Sequence, residues 1–169
     1  TVQADAIGAG SALFDGVDDY ITLGNPTSLA DFSAATITAW AKTSDLTQAS
    51  QTILGEDSGG TNAGDFFFGY DNEVSDKWSM EIVKSTGGVA DVFVESDSIA
   101  TTDWTHVATT IDGSKLRLYV NGILQSDDET FVDDIFITAN NIAIGAQRTT
   151  PINEFKGNIC QVGIWDAAL

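Results

Sequence analysis

Residues 104–122, WTHVATTIDGSKLRLYVNG, restrict the fold more than any other part of the chain. Apolar and polar side chains alternate with period two over 106–111 and again over 116–120, the spacing of strands with one buried face. Asp112-Gly113 separates the two runs, and Asn121-Gly122 follows the second before Ile123-Leu124. Such pairs accept the positive φ that tight hairpins need, so the segment predicts a three-stranded antiparallel meander. Val107, Thr109 and Ile111 share one face; Leu116, Leu118 and Val120 form the matching face of the next strand, and Lys115, Arg117 and Tyr119 point the other way.

Shorter runs of the same kind recur at 12–15, 20–23, 35–42, 52–54, 66–70, 78–84, 89–94, 135–138, 141–145 and 159–165, between clusters of Gly, Asp, Asn and Ser. No segment of ten residues carries a helical stripe, and 27–33 offers at most a turn. Closely spaced strands imply an all-β fold, a two-sheet antiparallel β-sandwich or jelly roll. With 169 residues and no linker, repeat or low-complexity block, one domain over 1–169 is expected.

The 25 acidic and 7 basic residues give a net charge of −18, a field that repels phosphate backbones and anionic headgroups. No nucleic-acid partner is expected. No apolar run approaches the ~18 residues of a membrane span, so no membrane insertion is expected either. Cys160, the one cysteine, lies in an apolar run and reads as a buried small hydrophobe. Starting at Thr1 without a signal core, the chain reads as a processed product or an excised domain.

Several segments, in order, match a known pattern: Ala12-Leu13-Phe14-Asp15-Gly16 with Asp18-Asp19-Tyr20-Ile21, then Ile37-Thr38-Ala39-Trp40, the WTHVA…LYVNG core, Ile144-Gly145, Phe155-Lys156-Gly157 and Val162-Gly163-Ile164-Trp165. Together they resemble the laminin G-like jelly rolls of the concanavalin A-like lectin and glucanase superfamily, over essentially the whole chain. The resemblance implies two packed antiparallel sheets with first and last strands close together. It also implies a module of a secreted, cell-surface or virion protein that binds glycans or proteins, often with calcium, and is seldom catalytic.

A looser similarity to pentraxins implies a rim. Thr52-Ile53-Leu54, a loop, and Phe66-Phe67-Phe68-Gly69-Tyr70 look like the strand-loop-strand on one side of the pentraxin calcium site, which places Asn62 and Asp65 at that loop. Ile144-Gly145-Ala146-Gln147-Arg148 looks like the other side. Arg148, Thr149, Thr150 and Pro151 replace the acidic and amide ligands expected there, so the pentraxin double-calcium site is not carried over. If the two loops share one end of the sandwich, Asn62, Asp65, Gln147 and Asn153 offer hydrogen bonds to sugar hydroxyls, Arg148 offers a bidentate donor to an acidic sugar, and Tyr70 or Trp78 a stacking wall.

Hydrolysis of β-glucans needs two carboxylates about 5–5.5 Å apart, but Glu95-Ser96-Asp97 is followed by Ser98, Ile99 and Ala100 with no second Glu. His106, the only histidine, occupies a sheet position, and HExxH, CxxC, Walker A and GxGxxG are absent. The expectation is a chain without enzymatic activity. Calcium takes 6–8 oxygen ligands, which acidic loops can supply. Asp57, Asn62 and Asp65 form the first cluster; Asp15, Asp18 and Asp19 form the second, which also reads as Asx turns entering a strand. Of the four tryptophans, the resemblance assigns Trp40, Trp104 and Trp165 to packing positions; Trp78 alternates in phase with Met80 and Ile82 but opens a strand directly after the polar segment 72–77, where it or Tyr70 is placed to meet a ligand.

The function expected is non-catalytic recognition of a glycan or surface protein through rim loops, at the cell or virion surface. The other reading is a structural or decoration domain of a capsid, fibre or surface layer, with oligomeric or virion assembly through protein contacts.

Overall fold

A computed structural model describes residues 2–3, 7–24, 32–56, 65–71, 75–83, 92–131, 142–148 and 150–169. Among these residues every regular element is a strand: β1 (Val2–Gln3), β2 (Ser11–Asp15), β3 (Ile21–Gly24), β4 (Ala35–Thr43), β5 (Gln51–Glu56), β6 (Phe66–Asp71), β7 (Lys77–Ile82), β8 (Val92–Glu95), β9 (Thr105–Ile111), β10 (Lys115–Val120), β11 (Ile123–Thr130), β12 (Ile142–Ile144) and β13 (Lys156–Trp165). One antiparallel sheet has the order β1-β2-β13-β4-β9-β10-β11, the other β3-β12-β5-β6-β7-β8. This is the expected all-β sandwich, with β13 lying beside β2. The runs at 27–31, 89–91 and 135–138 lie outside the described residues.

Alternation decides which residues fill the space between the sheets. β4 turns Ile37, Ala39 and Ala41 inward, β9 adds Val107 and Ile111, and β10 adds Leu116 and Leu118. The other sheet contributes Leu54, Phe66, Phe68, Tyr70, Trp78 and Met80. Each fully buried side chain of this size contributes roughly 1.5–3 kcal/mol of apolar burial, which is why the period-two pattern is held so strictly.

The meander forms with Leu116 facing Ile111, Leu118 facing Thr109 and Val120 facing Val107. Asn121 (φ 52°) and Gly122 (φ 78°) make its second turn. Asn121 also ties the turn to β9: its amide donates to His106 O at 2.8 Å, and its Oδ1 accepts from His106 N at 3.0 Å. The first turn is closed by Asp112 N donating to Lys115 O at 3.2 Å, so it centres on Gly113-Ser114, one residue later than expected.

Two irregularities shape the surface. In β11, Asp128 faces Arg117 and Leu124 faces Tyr119, so residues 125–127 oppose Leu118 alone. Those extra residues reach the edge strand of the other sheet: Glu95 N donates to Asp127 Oδ2 at 3.1 Å, Asp97 N to Gln125 Oε1 at 2.8 Å, and Ser126 N to Asp97 Oδ1 at 3.0 Å. In β13, Cys160 faces Trp40 and Gly163 faces Thr38, and Gln161 takes φ 51°. The extra residue resets the alternation, so Ile159 and Ile164 pack against the core while Trp165 turns outward.

Candidate functional site

Residues 145–148 and 150–155 return across β5 and are fastened to it. Gly145 N donates to Ile53 O at 3.1 Å and Thr52 N to Asn153 O at 2.8 Å, while Gln147 N closes on Ile152 O at 3.0 Å. The close approach requires glycine beneath: a Cβ on Gly55 would stand 2.8 Å from Gln147 Cα. Gly55 faces Phe67 in β6, and Asp65 precedes Phe67 by two residues on the same side of the sheet. Gln147 and Asp65 thus belong to one end of the outer face of the six-stranded sheet.

Within this segment Asn153 Nδ2 donates to Gln147 Oε1 at 2.8 Å, with both side chains half-buried. Arg148, also half-buried, donates from Nε to Thr150 O at 3.3 Å. Asp65 is only 3% exposed. Asp57 and Asn62 lie outside the described residues.

The stacking wall expected at Tyr70 or Trp78 needs correction. Tyr70 is 0% exposed and Trp78 is 2% exposed, because both fall in phase with inward-facing Phe68 and Met80. They pack edge to face with centroids 6.1 Å apart. The Tyr70 hydroxyl donates to Leu46 O at 2.8 Å, and its pKa is pushed up to about 12, by burial first and by the Asp76 carboxylate beside it. Trp78 reaches only the floor of a depression of about 360 Å³ beside Ile99 and Ile123, where Asp97 and Gln125 spend their polar groups on β11 and on each other.

The other tryptophans are corrected in the opposite sense. Trp40 is half-buried on the outer face of the seven-stranded sheet, its ring 5.3 Å from that of His106. Trp104 is also half-buried. Trp165 is 42% exposed. The Thr36-Thr38-Trp40 phase, opposite to Ile37-Ala39-Ala41, was the available signal for Trp40. The β13 bulge that turns Trp165 outward has none in the sequence. Burial holds the His106 imidazole below its ordinary pKa, in keeping with a structural histidine.

Asp15, Asp18 and Asp19 bring carboxylate oxygens within 4.8 Å of one another on exposed side chains. Local turns account for this: Asp15 Oδ1 accepts from Val17 N at 2.8 Å, and Asp19 Oδ2 accepts from Asp15 N at 3.1 Å. Glu95 is held by Ser75 Oγ on one oxygen and Lys77 Nζ, 3.3 Å away, on the other.

A laminin G family model, described as the concanavalin A-like lectin/glucanases superfamily, matches residues 15–169. The chain belongs to this laminin G-like family. No curated protein sequence matches it significantly. Among solved structures, the laminin G-like sandwich is similar to the CBM40 module of the Ruminococcus gnavus IT-sialidase, at 20% identity over 94% of this chain and 91% of that one, TM-score 0.73. The same module bound to α2,3 sialyllactose matches at 19% identity over 94% and 92%, TM-score 0.70. Domain 4 of AbnA, an extracellular arabinanase from Geobacillus stearothermophilus in complex with arabinotriose, matches at 23% identity over 100% and 77%, TM-score 0.70. At these identities the likeness concerns the fold, and the fold is one that carbohydrate-binding modules use.

Proposed function

We propose that this laminin G-like module is a non-catalytic glycan receptor whose binding rim is the segment crossing β5, and that it serves as part of a larger secreted, surface or virion protein. The Gln147–Asn153 amide pair carries this reading. Their mutual bond fixes both side chains, while Gln147 Nε2 and Asn153 Oδ1 make no further bond among the described residues. A fixed donor beside a fixed acceptor matches vicinal hydroxyls, each of which donates and accepts. Arg148 next to the pair supplies a planar cation for an acidic sugar, against the repulsive field of a protein at −18. Sugars bound to the similar modules support the choice of ligand class. Engagement of both Glu95 oxygens, by Ser75 and by Lys77, supports a non-catalytic role.

Calcium belongs to the same proposal, at the loop that ends in Asp65. Asp57, Asn62 and Asp65 are hard oxygen donors of the type calcium takes. A glycan array containing sialyllactose and neutral oligosaccharides, run with calcium and with chelator, provides the test. Gln147→Ala and Asn153→Ala are expected to weaken the best hit about tenfold or more, with circular dichroism unchanged. Parent-like binding by both variants would overturn the rim. Millimolar calcium is expected to raise the melting temperature, and Asp65→Asn to abolish that rise; the same rise in the variant would remove calcium from this loop.

A further inference from the structure

We infer that the outer face of the seven-stranded sheet carries a second sugar-contact site, separate from the rim and shaped for an uncharged pyranose. It shares only the ligand class with the rim reading. Four adjacent strands build it, in the order β13-β4-β9-β10. The two flanking strands present aromatic side chains, Trp165 on β13 and Tyr119 on β10, and the two central ones present a floor of Thr36, Thr38, Ala108 and Thr110. Register puts these residues side by side: Trp165 faces Thr36, which faces Thr110; Thr38 faces Ala108, which faces Tyr119. Small residues between large ones make a trough of about 250 Å³. Its flanking strands are about 14 Å apart, three strand spacings. That volume lies below the ~300–1,000 Å³ of drug-sized pockets, and it suits one or two sugar rings.

The indole of Trp165 is set for stacking. A Cβ on Gly163 would stand 2.2 Å from Trp165 Cη2, so the ring occupies the space above Gly163 that any other residue would fill. One side of the ring rests on the sheet while the residue stays 42% exposed, and an open aromatic face takes the C–H face of a pyranose. The C-terminal residues close one end: Thr36 Oγ1 donates to Ala167 O at 2.7 Å and accepts from Leu169 N at 3.0 Å, and Leu169 lines the trough.

Polar groups in the trough are uncharged. The hydroxyls of Thr38, Thr110 and Tyr119 make no hydrogen bond among the described residues, and each both donates and accepts. No Asp, Glu, Lys or Arg lines the trough, in a chain with 25 acidic residues. Burial shifts His106, at its end, toward its neutral form. Arg117, across from Thr110 on this face, is already paired with Asp112 at 2.6 Å, so the trough offers no unpaired cation to a carboxylate or sulfate and selects neutral sugars, whereas Arg148 at the rim suits acidic ones.

The deciding experiment is an amide and indole NMR titration of the 169-residue protein with sialyllactose and with neutral gluco-, xylo-, manno- and galacto-oligosaccharides. At least one neutral sugar is expected to shift the Trp165 indole N–H and the Thr38, Ala108 and Tyr119 amides, and sialyllactose to leave them in place. Trp165→Ala and Tyr119→Ala are each expected to weaken that binding about tenfold or more. The inference is overturned if neutral sugars move only Gln147 and Asn153, if Trp165→Ala binds like the parent, or if none moves the trough at about 10 mM, tenfold above a weak Kd of ~1 mM. Trough shifts without any rim shift would instead overturn the rim reading alone.

Discussion

Thr43 Oγ1 on one sheet donates to Gln51 Oε1 on the other at 2.9 Å, with both side chains fully buried. The same Oε1 accepts from Lys156 N at 3.1 Å, and Gln51 Nε2 donates to Asp45 O at 2.6 Å. One amide thereby serves groups from β4, β13 and the loop after β4. Gln51→Leu should take from the Lys156 amide its side-chain acceptor, leave the Thr43 hydroxyl only its 3.4 Å contacts to Asp45 O and Lys156 O, and cost about 1–3 kcal/mol in chemical denaturation. A cost below about 0.5 kcal/mol would mean that water or a rearranged loop replaces the amide.

Tyr70→Phe separates a core role from a ligand role. The hydroxyl bond to Leu46 O should be worth roughly 1 kcal/mol of stability, and glycan binding should stay at the parent level. Weakened glycan binding with unchanged stability would restore Tyr70 to the ligand site.

Gly122 has open space around it, since a Cβ would meet nothing within 4 Å, so substitution there reads conformational strain alone. At φ 78° a Cβ costs roughly 1–2 kcal/mol, and β-branching adds to it. Gly122→Val should therefore lower the melting temperature clearly and Gly122→Asn by less, because Asn tolerates this conformation. Equal losses for the two variants would show that side-chain size, and not φ, sets the cost.

Asp112 gives a pH signature. Arg117 Nη1 donates to its Oδ2 at 2.6 Å, and that bond, followed by those from Ser114 and Lys115, holds the carboxyl well below its ordinary value of 3.8. A depressed folded-state pKa means that the stabilisation is complete above the unfolded value and disappears as pH falls through the folded one. The melting-temperature gap between parent and Asp112→Asn should be constant from about pH 7 to pH 5 and narrow below about pH 4. A gap that persists to about pH 2 would assign it to turn geometry instead of charge.

The meander was legible because alternation and turn residues agree within 19 residues: Asn121-Gly122 takes the backbone angles that its composition favours, and Val107 and Leu118 face inward as their period requires. Tryptophan placement was not legible, because a Trp is large enough to serve either face and only its phase decides. Trp78 shares the phase of Met80 and goes inward. Trp165 would share the phase of Ile159 but for one extra residue near Gln161, a change that no apolar count reveals. At the rim, pentraxin-like order put Gln147 on the side facing the loop of Asp65, but its position over Gly55 and its bond with Asn153 depend on a backbone path that spacing alone does not define.

The bulge of β11, where three residues oppose one, also bears on how copies of this molecule behave when crowded. Unpaired amides on a flanking strand invite a passing chain to add itself, and repetition of that step makes fibrils. Here the amides of Glu95 and Asp97 are already occupied by Asp127 and Gln125, and Asp128 and Glu129 follow on the same strand. The two sheets are seamed along one side with side chains, and the seam is strongly anionic. An approaching strand meets no vacant donor at either position and a row of carboxylates, so this margin resists polymerisation.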